Sequence, residues 1–217
     1  MVEVASVVST TVPSAHIDTV ILDFGGVVVD WDMRHLFRTV FDDPDEMETF
    51  LAEVLTPAEN FRCDLGTPIA DVVGGLIEGH PAHRTALEAW RDRWVETVPS
   101  TIDGMEVLID EIRAAGIGLY GLSNFSAETF PLAQARHRVF ERFDGIVISG
   151  EAGVAKPQPE IYHLLCDRYG LEISRSVFVD DSPVNVRGAE AVGMAAVHFT
   201  DVATLRAALE TLGVDLR

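Results

Sequence analysis

TVILDFGGVVVD, residues 19–30, begins with an apolar, β-branched run that ends just ahead of a glycine pair. Similar runs recur along the chain as GLYGLSN (118–124), GIVIS (145–149), SVFVDD (176–181) and AAVHF (195–199). All of them are continuous rather than alternating, which is typical of strands that are covered by helices on both faces. Helical patterns separate the last four runs, at residues 128–140, 159–169 and 183–192. The sequence therefore predicts an α/β fold with a doubly wound parallel sheet.

Residues 30–99 separate the first run from a helical pattern at 104–115. Apolar side chains recur in this region at three- and four-residue spacing, which indicates helices. They include Leu36, Phe37, Val40, Met47, Phe50, Leu51, Val54, Leu87, Trp90, Trp94 and Val95. A structureless loop of this length would be unusual. We therefore predict a loose tail at 1–17, an α/β core formed by 18–30 and 100–217, and a helical cap domain at 31–99.

The chain of 217 residues is strongly acidic, with 35 acidic and 16 basic side chains and a formal net charge of −19. This charge repels nucleic-acid backbones, so we expect no nucleic-acid partner. No apolar run reaches the roughly 18 residues of a bilayer span, so we expect no membrane partner. The N-terminal stretch does not resemble a secretory signal, and the two cysteines do not indicate a disulfide framework. These features predict a cytoplasmic protein, and none of them indicates an oligomeric state.

Lys156 is the only lysine in the chain, and it lies in the stretch GVAKPQPEIY (153–162). Lysine offers a compact point charge where arginine offers a planar fork, and phosphoryl sites often use the point charge. The count alone is equally compatible with a composition bias against lysine. The position of Lys156 in the predicted fold is needed to distinguish a phosphoryl-binding lysine from a composition bias.

Polar side chains end or follow four of the predicted strands, where ligands bind in open parallel sheets. They are Asp23 after the first run, Ser123 and Asn124 at the second, Lys156 after the third, and Asp180 and Asp181 at the fourth. Three carboxylates at one edge would repel one another without a cation, and an all-oxygen site suits Mg²⁺. The alternative is that Asp23 caps a turn and Asp181 caps a helix. The convergence of all these side chains on one edge favours the magnesium site.

With these residues the chain resembles the haloacid dehalogenase superfamily, whose four motifs fall in this order between residues 19 and 199. The resemblance implies that Asp23, in ILDFGGVVVD, is a nucleophile that forms an aspartyl-phosphate. It implies that Ser123 and Asn124, in GLSN, bind the transferring phosphoryl group. Lys156 resembles the third-motif lysine, which steadies both the nucleophile and the phosphoryl oxygens.

The resemblance also implies a set of magnesium ligands. Asp23, the backbone carbonyl of Gly25 and Asp181 would hold the ion directly, and Asp180 would bind it through water. The glycine turn formed by Gly25 and Gly26 lets backbone groups approach the substrate. The helical insertion would be a type-one cap that closes over the site.

Gly25 departs from the superfamily pattern. Phosphatases of the superfamily usually carry a second aspartate at this position, which protonates the leaving group and then activates water. Such general acid–base help is worth roughly 10²- to 10⁴-fold in rate. Three explanations remain open: the reaction does not need the acid, another side chain replaces it, or the protein binds its ligand with little or no turnover. The candidates for a replacement are Asp30, Asp32, His35 and Glu59.

The Asp-x-Gly first motif and the paired aspartates most resemble phosphatases that act on sugar phosphates, such as the α-glucose-1-phosphate phosphatase type. We therefore expect a magnesium-dependent phosphatase that acts on a small phosphorylated metabolite. Gly25 also suggests a metal-independent 2-haloacid dehalogenase, although dehalogenases carry small hydroxyl residues in place of Asp180 and Asp181. A non-catalytic binding protein on the same scaffold is the third hypothesis.

Several side chains of the predicted cap are expected at the cleft. These are Trp31, His35, Glu59, Phe61 and Arg62. The helical spacing of Trp90 and Trp94 predicts instead that they are core residues.

Overall fold

The computed structural model describes residues 16–216 and contains a five-stranded parallel sheet with the order β3-β2-β1-β4-β5. The strands are β1 (Thr19–Leu22), β2 (Gly118–Ser123), β3 (Gly145–Ile148), β4 (Ser176–Asp180) and β5 (Ala195–His198). Every predicted strand is present, and each ends one or two residues earlier than predicted. The predicted doubly wound α/β fold is confirmed.

Helices occupy both the insertion and the connections between strands. The helices of the insertion are α1 (Met33–Phe37), α2 (Pro44–Glu53), α3 (Pro57–Asp64), α4 (Ile69–Gly79) and α5 (Arg84–Arg93). Those that follow are α6 (Met105–Ala114), α7 (Phe130–Arg136), α8 (Ser149–Ala152), α9 (Pro159–Tyr169), α10 (Pro183–Ala191) and α11 (Val202–Thr211). In residues 16–216 none of the helices is long and apolar enough to cross a lipid bilayer.

The central strand β1 is completely buried, because helices cover both of its faces. Ile21 belongs to an apolar cluster that includes Ile161 and Leu165 of α9. Val20, which points to the opposite face, belongs to a second cluster that includes Leu108 of α6 and Leu205 of α11. Alternate residues of one strand therefore serve two cores, as the continuous apolar pattern predicts.

The helix predicted at 128–140 is interrupted, so that prediction is wrong in its extent. Helix α7 ends at Arg136, and a 3-10 turn follows at Arg138–Arg142. His137 between them has an extended backbone, with φ −119° and ψ 104°. Its buried ring lies with Nε2 2.8 Å from the Val98 carbonyl oxygen. This tertiary contact accompanies the break in the helix.

The insertion is attached to the sheet beside the carboxyl ends of the strands. Trp90 of α5 belongs to the same apolar cluster as β1. The Ile69 amide donates to Glu128 Oε2 at 2.9 Å, and the Ser149 hydroxyl donates to the Asp64 carbonyl at 2.5 Å. These bonds fix the connection from α3 to α4 over the edge where the candidate site lies. That residues 31–99 form a separate domain stays a prediction.

The predicted N-terminal tail lies mostly outside the described residues, which begin at His16. Ile17, the last residue of the predicted tail, is buried in the apolar core. The next residue, Asp18, accepts a backbone hydrogen bond from Gly118 at 2.9 Å and continues the pairing of β1 with β2.

Candidate active site

Asp23 lies directly after β1 with its carboxylate held from several sides. Its Oδ1 accepts a hydrogen bond from the Phe24 amide at 2.7 Å and lies 2.8 Å from Lys156 Nζ. The Ser123 hydroxyl donates to the same carboxylate. Burial raises the pKa of Asp23 to about 6, and the Lys156 charge opposes that rise. The Lys156 charge and the Phe24 amide stabilise the ionised form of Asp23, which is the nucleophilic form.

Lys156 is fully enclosed behind Asp23. Its Nζ lies 2.8 Å from Asp23 Oδ1, 2.7 Å from Asp180 Oδ2 and 3.0 Å from the Leu122 carbonyl oxygen. An ammonium group has three hydrogens, so these acceptors use all of them. Burial alone would lower the pKa of Lys156, but the two carboxylates outweigh it and raise the pKa. Lys156 therefore stays charged and joins the ends of β1 and β4.

Asn124 holds the backbone of Lys156. Its Oδ1 accepts a hydrogen bond from the Lys156 amide at 2.8 Å, and its Nδ2 donates to the Lys156 carbonyl at 3.0 Å. Both ends of the side-chain amide are thus engaged within the protein. This geometry makes Asn124 a positioning residue for the lysine, and its contact with substrate stays a prediction.

Asp180 and Asp181 have very different surroundings. Asp180 is fully buried, with Oδ1 accepting from the Ser182 amide at 2.8 Å and from Asn185 Nδ2 at 3.1 Å. Its Oδ2 accepts from Lys156 Nζ. Asp181 is exposed at the surface. Burial of part of the side chain and the Asp23 charge raise its pKa, and the Lys156 charge opposes the rise. Asp181 is consequently the carboxylate of the pair that is free to reach a cation.

The three carboxylates of Asp23, Asp180 and Asp181 offer ligand atoms that all lie within 4.8 Å of one another. They carry three formal negative charges against one positive charge on Lys156. The remaining charge of −2 and the all-oxygen donor set fit a hard divalent cation such as Mg²⁺. The expected convergence of strand-end carboxylates is therefore present in the structure.

The two turn glycines differ in how strictly the backbone needs them. Gly26 has φ +75°, and a Cβ atom there would lie 2.5 Å from Asp181 Oδ2. A side chain at Gly26 would therefore be strained and would displace Asp181. At Gly25, by contrast, a Cβ atom would make an ordinary contact of 3.5 Å with Trp31 Cβ. Crowding at the Cβ position therefore does not explain why residue 25 is a glycine and not the usual aspartate.

A cavity of about 180 Å³ opens above Asp23. Polar residues from the strand ends and from the insertion line it: Asp23, Asn60, Asp64, Ser123, Asn124, Ser126, Thr129 and Asp181. The remaining lining residues are Gly25, Trp31, Cys63, Ile69, Trp90, Trp94 and Phe125. Gly26, Lys156 and Asp180 do not line it, so direct substrate contact by Gly26 and Lys156 stays a prediction.

Sequence reasoning about the cap was only partly correct. Trp31 lines the cavity as expected, whereas His35, Glu59, Phe61 and Arg62 are absent from its lining among the described residues. Glu59 and Arg62 instead pair with each other at 2.6 Å on the surface. Trp90 and Trp94 are buried, as predicted, but they also form part of the cavity wall.

Asp64 is the main functional candidate that sequence reasoning missed. It is the last residue of α3 and contributes a carboxyl group to the cavity. Burial and, to a smaller extent, the Asp23 charge raise its pKa to about 7. The sequence prediction looked for ligand-binding residues at the carboxyl ends of strands. Asp64 ends a helix of the insertion, so that search could not identify it.

Comparisons with known proteins agree with the fold. A family model described as haloacid dehalogenase-like hydrolase matches residues 17–193. The sesquiterpene phosphatase astK of Aspergillus oryzae is 34% identical over 97 residues, which are 45% of this chain and 50% of that protein. The (S)-2-haloacid dehalogenase 1 of a Pseudomonas strain is 26% identical over 128 residues, 59% of this chain and 54% of that protein. The chain thus spans about half the length of these curated relatives.

A solved structure extends the comparison of folds. It is a HAD family enzyme from Bacteroides thetaiotaomicron in a magnesium complex, with a TM-score of 0.69. The sequence identity is 19%, and the match covers 86% of this chain and 95% of that chain. At this identity the likeness shows a shared fold.

Proposed function

The chain belongs to the haloacid dehalogenase-like hydrolase family, and we propose that it is a magnesium-dependent phosphatase that acts on a small phosphorylated metabolite. The observation that carries this proposal is the Asp23 carboxylate at the cavity, held by Lys156 and accompanied by two further carboxylates within 4.8 Å. A nucleophile, a fixed cation and a set of oxygen donors for a metal are the components that phosphoryl transfer requires.

The proposed reaction has two displacements at phosphorus. A carboxylate oxygen of Asp23 forms a bond to phosphorus while the bond from phosphorus to the leaving oxygen breaks, which gives an aspartyl-phosphate. Water then attacks this phosphorus, releases inorganic phosphate and regenerates Asp23. The contacts from Phe24 and Lys156 hold the Asp23 carboxylate in place before substrate binds, so the carboxylate loses little orientational freedom on binding. Ser123 lines the cavity beside Asp23, where a hydroxyl suits a phosphoryl oxygen.

Magnesium would be held by Asp23, Asp181 and the backbone carbonyl of Gly25. Asp180 would act through water, because Lys156, Ser182 and Asn185 already engage both of its oxygens. When bound, Mg²⁺ supplies positive charge that offsets the charge of the phosphoryl oxygens. The residual charge of the carboxylates and the lysine supports this assignment.

The size of the cavity bears on the substrate. At about 180 Å³ it is smaller than the roughly 300–1,000 Å³ of pockets that enclose drug-sized ligands. A phosphate with a small organic group suits this space, and sugar phosphates are the class that the sequence motifs favour. The aromatic lining from Trp31, Trp90, Trp94 and Phe125 favours a second candidate, the phosphate ester of an apolar alcohol.

The neighbouring aspartates Asp180 and Asp181 argue against the dehalogenase hypothesis. A metal-independent site would leave Asp23, Asp180 and Asp181 to repel one another with only Lys156 in compensation. A non-catalytic binding protein would not need the Asp23 carboxylate to be held and ionised beside an open cavity. The dehalogenase and binding-protein hypotheses make distinct predictions, so the same set of assays can test both.

The test is a phosphate-release screen with Mg²⁺ over sugar phosphates, nucleotides, prenyl phosphates and an aryl phosphate. Halide release from a 2-haloacid without metal is measured in parallel. We expect metal-dependent phosphate release and no halide. Halide release without metal would support the dehalogenase instead, and tight vanadate binding without turnover would support the binding protein.

A further inference from the structure

The C-terminal end of α3 is fixed to the edge of the sheet where Asp23 lies. The Asp64 carbonyl accepts a hydrogen bond from the Ser149 hydroxyl at 2.5 Å. The same Ser149 oxygen accepts from the Phe125 amide at 3.0 Å, just beyond β2. One serine therefore links the end of the helix to the loop that lines the cavity. These two hydrogen bonds hold the backbone of Asp64 beside the cavity.

The Asp64 carboxyl is also oriented. Its Oδ2 accepts a hydrogen bond from Asn60 Nδ2 at 3.0 Å, and the Ser126 amide donates to the carboxylate. Asn60, Ser126 and Asp64 all line the same cavity as Asp23. Neutral donors hold the group without giving it a permanent counter-charge, so it can exist in both protonation states.

Several influences bring the ionisation of Asp64 close to neutrality. Burial first and the Asp23 charge second raise its pKa to about 7, against the opposing effects of the Ser126 hydrogen bond and the Lys156 charge. Its position at the C-terminal end of α3 acts in the raising direction, because the helix dipole disfavours a negative charge there. An acid with a pKa near the working pH is the most effective proton donor and acceptor.

We propose that Asp64 is the general acid and base of this enzyme and replaces the aspartate that is missing at Gly25. This inference rests on the proposed phosphatase function. In the first displacement, Asp64 gives its proton to the leaving oxygen as the phosphorus–oxygen bond breaks and the Asp23–phosphorus bond forms. In the second, the Asp64 carboxylate takes a proton from the attacking water, and phosphate leaves Asp23. Asp64 then carries its proton again.

The earlier candidates for this role are engaged elsewhere. Asp32 caps α1 by accepting from the Arg34 amide at 2.9 Å. Glu59 pairs with Arg62, and Asp30 Oδ2 lies 3.0 Å from His35 Nε2. Among the described residues, none of the four candidates lines the cavity.

The test compares phenyl phosphate with 2,4-dinitrophenyl phosphate in the Asp64→Asn variant with Mg²⁺. The two substrates share a ring, but only phenolate is a poor leaving group that needs a proton. We expect kcat/KM to fall about 100-fold for phenyl phosphate and by less than about tenfold for the dinitrophenyl ester. Glu59→Gln, which removes a surface carboxylate from the same helix, should change both values by less than about twofold. Equal losses on both substrates, or no loss, would overturn the role of Asp64.

A second variant keeps the test independent of how well Asp64→Asn folds. Gly25→Asp in the otherwise unchanged chain supplies an acid at the usual position of the superfamily. If Asp64 already provides the proton, the ratio of kcat/KM for phenyl phosphate to kcat/KM for 2,4-dinitrophenyl phosphate should rise by less than about threefold, whereas a rise of about 100-fold in that ratio would show that no acid was present. A wild-type chain that releases phosphate but fails these tests refutes only the role of Asp64. A wild-type chain that hydrolyses neither ester refutes the phosphatase proposal and this inference with it.

Discussion

Lys156 Nζ lies 2.8 Å from Asp23 Oδ1, and the lysine side chain has no exposed surface. The same ammonium lies 2.7 Å from the equally buried Asp180. The only lysine of the chain is therefore the shared counter-charge of two carboxylates that the fold withdraws from water. The same lysine therefore stabilises the core and holds the proposed nucleophile, Asp23, in place.

Replacing this cation should be costly for stability. Lys156→Met leaves Asp23 and Asp180 buried without their counter-charge, and we expect the free energy of unfolding to fall by about 3–5 kcal/mol. Urea denaturation of both proteins measures the difference. Arg84→Met, which breaks an exposed pair with Glu88, is the matched control and should cost less than about 1 kcal/mol. Similar losses in the two variants would contradict the structural role of Lys156.

Asn124→Ala should weaken the same arrangement through the backbone. The variant removes both bonds to the Lys156 main chain and leaves its buried amide without an acceptor. We expect a loss of about 1–3 kcal/mol in stability, together with reduced phosphatase kcat. Asn124→Asp keeps the acceptor for the amide and should recover part of the stability. Unchanged stability in Asn124→Ala would show that the two bonds contribute little.

Gly26→Ala tests the close approach of Asp181. The substitution places a methyl group 2.5 Å from Asp181 Oδ2 at a backbone φ of +75°. Gly153→Ala has a comparable φ of +69° with nothing within 4 Å of the new Cβ, so it reproduces the backbone strain alone. We expect both variants to lose about 1 kcal/mol of stability, but only Gly26→Ala to need at least about tenfold more Mg²⁺ for half-maximal activity. If Gly26→Ala and Gly153→Ala needed the same Mg²⁺ concentration, the proposal that Asp181 binds the metal would be contradicted.

The two neighbouring aspartates should respond differently to the same change. Asp181→Asn should raise the Mg²⁺ requirement about 10- to 100-fold and leave stability nearly unchanged, because the side chain is exposed. Asp180→Asn replaces one of two buried acceptor oxygens, which accept from Lys156, Ser182 and Asn185, by an NH₂ group and should cost about 1–3 kcal/mol of unfolding free energy. Magnesium titration of activity and urea denaturation provide the two measurements. Identical behaviour of the variants would contradict the division of roles.

Much of this arrangement was predictable from the sequence, for an identifiable reason. The strands are buried on both faces, so their apolar runs are continuous, and parallel strands bring Asp23, Ser123 and Asp180 to one edge. Asp64 was not predictable, because its place depends on the bond to Ser149 that attaches the insertion to the sheet. The break in the helix at His137, just after α7, likewise coincides with a tertiary contact that local pattern does not show. Local pattern determines the elements, whereas contacts between distant segments determine what reaches the cavity.

The most direct test of the central proposal compares the wild-type chain with Asp23→Asn on 2,4-dinitrophenyl phosphate. This ester needs little proton donation, so the measurement depends on the nucleophile and the metal and not on the acid. The assay is run with Mg²⁺ and again after EDTA treatment, and circular dichroism confirms that the variant is folded. The account predicts phosphate release by the wild-type chain with Mg²⁺ and loss of that release both in Asp23→Asn and after EDTA. Phosphate release that survives both changes would contradict it.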